Sequence, residues 1–124
     1  MDKHLLVIDD DEIQHFLLKR IFFQLRPDLS VVSARTAEEG LALLNEQTGV
    51  ILLDLHMPGM TGWDVLDFWN REKITLPPLF IFSSSPDPSD VLMAKENPLV
   101  IDYLVKPLEE EKIQTLILSL FQEG

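Results

Sequence analysis

The sequence predicts an alternating α/β domain: a doubly wound, five-stranded parallel sheet with helices on both faces. Three observations carry this. Short, wholly apolar runs recur along the chain, as strands covered on both sides require. Amphipathic stretches separate each run from the next, the arrangement of repeated βα units with right-handed crossovers. The 124 residues suffice for one domain of ordinary size and not for two cores.

The first run, Leu5-Leu6-Val7-Ile8, ends at Asp9-Asp10-Asp11. Ile13, Leu17, Ile21 and Leu25 then fall four apart and predict a first helix with that stripe inward, widened by Leu18 and Phe22. Leu29 to Val32, after Arg26-Pro27-Asp28, is the weakest strand. Thr36 with Glu39 three residues on has capping-box spacing and opens a second helix through Leu41, Leu43 and Leu44. Val50-Ile51-Leu52-Leu53 ends at Asp54, and Gly62 to Glu72 follows as a helix carrying Val65, Leu66 and Trp69. Leu79-Phe80-Ile81-Phe82 ends at Ser83-Ser84-Ser85. Ser89-Asp90 starts a short helix to about Glu96, stopped before Pro98. Tyr103-Leu104-Val105 ends at Lys106-Pro107. Glu109-Glu110-Glu111 place acid in the first turn of a last helix, ahead of Ile113, Leu116, Ile117 and Leu120. Five such units predict the flavodoxin-like strand order 2-1-3-4-5. Residues 1–124 read as one domain with no output domain attached.

Composition narrows the function. Asp and Glu number 21 against 10 Lys and Arg, a formal net charge of −11. That disfavours direct nucleic-acid binding, which needs cations to replace counterions around phosphates, and disfavours anionic membranes likewise. There is no cysteine, which removes disulfides, thiolate nucleophiles and Cys-based zinc sites together. Met1-Asp2-Lys3-His4 runs into too short an apolar stretch for a signal peptide or a membrane span. A cytoplasmic domain is the expectation.

The chemistry collects where the apolar runs end. Doubly wound sheets bind ligands outside the carboxyl ends of their strands, where strand order reverses, here between the first and third strands. Asp9-Asp10-Asp11 and Asp54 end those two, Ser83 ends the fourth and Lys106 the fifth. Two like charges ~4 Å apart repel by roughly 4 kcal/mol at an effective dielectric near 20. A hard divalent cation relieves this, and carboxylates, backbone carbonyls and water are the ligands that Mg²⁺ prefers. With the charge partly neutralised, an aspartate can attack a phosphoryl group. Metal, lysine and hydroxyl would then each hold one phosphoryl oxygen.

These residues resemble the receiver domains of two-component response regulators over essentially the whole chain. The likeness rests on Val7-Ile8-Asp9-Asp10-Asp11, the segment Leu53-Asp54-Leu55-His56-Met57-Pro58-Gly59-Met60-Thr61-Gly62, Phe82-Ser83-Ser84 and Tyr103-Leu104-Val105-Lys106-Pro107. The resemblance implies that Asp54 accepts a phosphoryl group from a histidine-kinase phosphohistidine or a histidine phosphotransfer protein. It implies Mg²⁺ (or Mn²⁺) held by Asp9, Asp10, Asp54 and the backbone carbonyl of His56. Ser83 and Lys106 would hold phosphoryl oxygens, and the small Ser84 would admit the group. The Lys106–Pro107 bond would be cis, a geometry that is cheap only before proline. Ser83 and Tyr103 would form the switch, with Tyr103 turning inward as Ser83 moves. His56 and Ser85, each two residues after a pocket residue, would tune the phosphoryl lifetime. The output would be an unknown downstream protein reached by a monomer or weak homodimer, with no enzymatic turnover.

Competing readings fit less well. A haloacid-dehalogenase-like phosphatase needs a second acid two residues after its nucleophile, where this chain has His56. A flavodoxin wants a Ser/Thr/Gly phosphate cradle after the first strand, where this chain has acids. A phosphorylation-independent pseudo-receiver, purely an interaction module, is the alternative; such domains usually lack a pocket residue, and none is missing. Asp11 reads as a helix N-cap, His4 and His15 as surface or packing residues, and Trp63 and Trp69 as packing. Leu18, Phe22, Leu118 and Phe121 exceed one buried stripe and fit either a wrapped core or a partner surface.

Overall fold

Strands that are apolar on both sides need cover on both faces, and the fold supplies it. The computed structural model describes residues 3–84 and 87–120. Its elements run β1 (His4–Ile8), α1 (Glu12–Leu25), β2 (Ser30–Ala34), α2 (Ala37–Leu43), β3 (Thr48–Leu53), α3 (Gly62–Arg71), β4 (Leu79–Ser83), α4 (Pro88–Glu96), β5 (Asp102–Val105) and α5 (Glu110–Leu120). All strand pairings are parallel, in the predicted order β2-β1-β3-β4-β5. Every residue of β1, β3 and β4 is buried.

The period of two along each strand divides the interior into two cores. Leu6, Ile8, Ile51, Leu53, Leu79, Ile81 and Tyr103 face one side, where Ala37, Val65, Leu66, Trp69 and Ala94 of α2, α3 and α4 pack on them. Leu5, Val7, Val50, Leu52, Phe80, Phe82 and Leu104 face the other, under Leu18 and Phe22 of α1 and Ile113, Leu116 and Leu120 of α5. Among the described residues no helix is long and apolar enough to cross a membrane.

One helix turns a different face inward from that predicted. In α1 the buried residues are His15, Leu18 and Phe22, whereas Ile13, Leu17 and Leu25 are exposed. A set strictly four apart drifts about 40° per step around a helix of 3.6 residues per turn, so it cannot stay against a flat sheet. The spacing 15, 18, 22 holds a narrower face. Leu18 and Phe22 are therefore core. Leu118 is exposed, and Phe121 lies outside the described residues.

Helix starts follow local chemistry. The Asp11 carboxylate accepts from Ile13 N–H and caps α1 as predicted. Thr36 accepts from Glu39 N–H at 3.1 Å, but Glu39 reaches back to the Arg35 N–H rather than to the cap itself, so the expected box closes one residue early. The complete capping box lies at α3, where Thr61 and Asp64 bond each other's backbone reciprocally. His4 is buried against Thr48, 3.0 Å from its hydroxyl, and burial lowers its pKa.

Candidate functional site

Main-chain bonds bring the strand ends together. The Asp9 N–H donates to the Ala34 carbonyl, the Asp54 N–H to that of Ile8, and the Lys106 N–H to that of Ser83, at 2.9, 2.9 and 3.0 Å. Asp9, Asp54 and Ser83 are buried and Asp10 is exposed. Carboxylate oxygens of Asp9, Asp10 and Asp54 all lie within 4.8 Å of one another. The sequence-predicted acid cluster thus exists as a geometric unit, closed by protein beneath and open to water at Asp10.

Lys106 reaches into it. Its ammonium stands 2.6 Å from Asp9 Oδ2 and 3.8 Å from Asp54 Oδ2. The first contact is an ion pair rather than an aligned hydrogen bond. The Phe82 ring lies 5.4 Å from the ammonium and steadies it by a cation–π contact. The Lys106–Pro107 peptide is cis, as expected.

Asp54 is held from its own loop. Its Oδ1 accepts the His56 N–H at 3.3 Å. Its pKa is pushed from 3.8 to about 6, first by burial and then by the charges of Asp9 and Asp10; Lys106 and the His56 N–H pull the other way. The carboxylate is therefore ionised at neutral pH at an energetic cost, which suits a site built to receive positive charge. Three carboxylates with an open, hydrated side are also the hard-oxygen donor set that Mg²⁺ or Mn²⁺ takes. The residues present fit such an ion.

The start of α3 seals the far side of this loop. The Gly62 N–H bonds the Leu55 carbonyl at 3.1 Å, and a Cβ at Gly62 would lie 2.3 Å from the Asp54 carbonyl oxygen. Only glycine fits there. Gly59, at φ +77°, makes the turn between.

Tyr103 departs from the expected resting position. It is already buried at 7% exposure, with a hydrogen bond joining its side chain to that of Ser83. Burial raises its phenol pKa, the Ser83 bond lowers it, and the charges of Asp90, Asp54 and Asp87 raise it further. The ring needs no vacated space, because the Leu79 and Ile81 side of the sheet already houses it. Ser85 lies outside the described residues.

Three neighbours escaped the sequence reading. The buried His15 donates from Nε2 to the Asp9 carbonyl at 2.7 Å, and its Nδ1 is buried without a partner. Its signal was present: a polar residue one turn before Leu18 and two before Phe22. Phe82 reads from sequence as a strand residue and as part of the Phe82-Ser83-Ser84 likeness, with no sign of its contact with Lys106. Asp90 of α4 meets the His56 ring, Nε2 to Oδ2 at 3.1 Å, across a sequence gap that no local pattern bridges.

A parallel sheet ordered 2-1-3-4-5 with aspartates, a serine and a lysine gathered at its carboxyl edge defines a receiver-type α/β signalling domain. The family profile of the response regulator receiver domain matches residues 5–118, and the chain belongs to that family. It is 30% identical over 115 residues to the two-component response regulator ARR14 of Arabidopsis thaliana, covering 90% of this chain and 29% of that protein. It is 35% identical over 111 residues to the nitrate/nitrite response regulator protein NarL of Escherichia coli K12, covering 88% of this chain and 50% of that one. The chain thus spans half or less of these relatives' lengths. Among solved structures, the Francisella response regulator 1452 receiver domain shares the fold with TM-score 0.82 and 24% identity, over 99% of this chain and 100% of that one. A two-component response regulator from Cytophaga hutchinsonii matches with TM-score 0.82 and 25% identity, over 98% of each chain.

Proposed function

We propose that this receiver domain takes a phosphoryl group onto Asp54 from the phosphohistidine of a histidine kinase or a histidine phosphotransfer protein. The observation that carries it is the Asp54 carboxylate: buried, oriented by the His56 N–H, 3.8 Å from the Lys106 ammonium and clustered with the oxygens of Asp9 and Asp10. Its pKa of about 6 leaves it ionised, hence nucleophilic, at neutral pH. An Asp54 oxygen bonds to phosphorus while the N–P bond of the donor breaks, its electron pair returning to the imidazole nitrogen.

Lys106 stands ready for the incoming charge, since its ammonium already sits between two acids and needs to shift only slightly to meet a phosphoryl oxygen. The Ser83 hydroxyl has one donor and two acceptor positions. It donates to the Tyr103 phenol oxygen, as its lowering of that pKa requires, and by turning its one O–H to a phosphoryl oxygen instead it would link the pocket to β5. Asp9, Asp10, Asp54 and the His56 carbonyl would hold Mg²⁺ or Mn²⁺, which supplies neutralisation of the phosphoryl oxygens' charge.

The domain works as a two-state switch, its phosphorylated form favouring one surface conformation for a protein partner. It does so in the cytoplasm, without enzymatic turnover, as a monomer or weak homodimer. Intact-mass measurement after incubation with Mg²⁺ and acetyl phosphate tests the chemistry. The wild type gains about 80 Da, one phosphoryl group, and Asp54→Asn gains nothing. An unchanged gain in that variant removes Asp54 from the role.

A further inference from the structure

His15 is buried at 2% exposure on the inner stripe of α1, which it shares with Leu18 and Phe22. Its Nε2 lies 2.7 Å from the main-chain carbonyl oxygen of Asp9. A carbonyl only accepts, so Nε2 carries a proton and donates it. Nδ1 is buried with no partner. An orphaned polar atom on an apolar helix face is a cost that leucine or methionine there would avoid. Packing alone therefore does not account for a histidine at this position; the bond to Asp9 does.

That bond completes the fixing of Asp9, itself 1% exposed. The Asp9 N–H donates to the Ala34 carbonyl at 2.9 Å. The peptides on both sides of its Cα are thus held, one by the end of β2 and the other by α1. Oδ1 accepts the Asp11 N–H at 2.9 Å, and Oδ2 stands 2.6 Å from the Lys106 ammonium. A side chain rooted between two fixed peptides keeps only its own torsions, and these two contacts settle them.

We propose that His15 is a positioning residue for the ion site: by pinning the Asp9 carbonyl to α1, it keeps the Asp9 carboxylate clustered with those of Asp10 and Asp54. This rests on the reading of the three carboxylates as a site for Mg²⁺ or Mn²⁺. The ring binds no ion itself and acts through the main chain of Asp9. Without the donor a buried carbonyl is left unpaired, and the peptide turns to find another partner, taking the carboxylate with it. Removing a partner that orients a metal's ligand costs about 10–100-fold in affinity. The bond here goes to the main chain rather than to a ligating atom, so the lower end of that range applies.

The test compares Mg²⁺ dissociation constants, by titration calorimetry on the full chain, with amide NMR spectra taken in EDTA. His15→Leu and His15→Met fill the space without a donor, and each weakens Mg²⁺ binding about ten-fold. His15→Gln returns an amide N–H near the place of Nε2 and restores most of the affinity. His4→Leu is the control: that histidine is also buried and bonded, to Thr48, but at the opposite end of β1. It lowers the melting temperature and leaves the Mg²⁺ constant at the wild-type value. In EDTA the Asp11 amide, which bonds Asp9 Oδ1, shifts in His15→Leu and keeps its position in His15→Gln. The proposal is overturned if the apolar variants keep the wild-type affinity or the wild-type Asp11 resonance. It is equally overturned if His15→Gln weakens binding as much as His15→Leu, or if His4→Leu weakens it too, since packing or general stability would then explain the loss. A wild type without any Mg²⁺ response overturns the ion site itself, while the Asp11 resonance still decides whether His15 aims Asp9.

Discussion

Asp54→Asn stabilises the domain when no divalent ion is present, and the gain depends on pH. The substitution keeps the size of the side chain and the oxygen that accepts the His56 N–H, while removing one charge from a cluster of three. Moving the Asp54 carboxyl from 3.8 to about 6 corresponds to about 3 kcal/mol at 1.36 kcal/mol per pH unit. The open side of the pocket screens part of it, leaving about 1–2 kcal/mol. The sign follows from proton binding. Between about pH 4 and 6 the folded protein holds this proton and the unfolded chain releases it. Stability from this group therefore falls as pH rises through that window and stays low above it. The variant lacks that slope. Thermal unfolding in EDTA shows equal melting of the two proteins near pH 4, and a gap of roughly 4–8 °C in favour of Asp54→Asn by pH 7. A gap that is the same at both pH values, or a variant that melts below the wild type at pH 7, refutes the electrostatic reasoning.

Mg²⁺ raises the melting temperature of the wild type in a dose-dependent way, reaching about 2.7 kcal/mol at a hundred times the dissociation constant. Asp10→Asn loses most of that response, and an equal effect from matched sodium chloride would mean no ion site. Gly62→Ala forces a methyl group against the Asp54 carbonyl and costs about 1–3 kcal/mol in urea unfolding; an unchanged midpoint would show slack in the loop. Tyr103→Phe keeps the buried ring, loses the bond to Ser83, and costs about 1 kcal/mol. With beryllofluoride as the phosphoryl mimic, its NMR shifts stay in the Asp54 pocket, whereas those of the wild type extend along β5; identical patterns would remove Tyr103 from the switch.

The strand order and the pocket acids were legible because both are written in short range. An apolar run that stops at Asp9, Asp54, Ser83 or Lys106 states a strand end, and the rules of doubly wound sheets place those ends on one edge. The facing of α1 was not legible. Its apolar residues surround most of the helix, and only the contact of His15 with the Asp9 carbonyl and the seating of Leu18 and Phe22 decide which side goes inward. The His56–Asp90 pair was hidden because its partners lie on different βα units. The inward side of Tyr103 was not legible because a strand residue's side follows from register, and β5 pairs Tyr103 with Ile81, an inward residue of the α4 side.

The close approach at Gly62 makes the two flanks of Asp54 mechanically unequal. On one flank the Asp54 loop is clamped, by the Gly62–Leu55 bond, the Thr61–Asp64 cap and a gap too small for a methyl group. A load placed on Asp54 finds no give in that direction. On the other flank stand single side chains, Lys106, Ser83 and Tyr103, held by side-chain contacts rather than by a main-chain clamp. On the phosphoacceptor reading proposed above, strain from an added group would be shed sideways toward β4 and β5, much as a bracket bolted along one edge deflects only at its free edge. On that reading, the rigid flank would give the signal its direction.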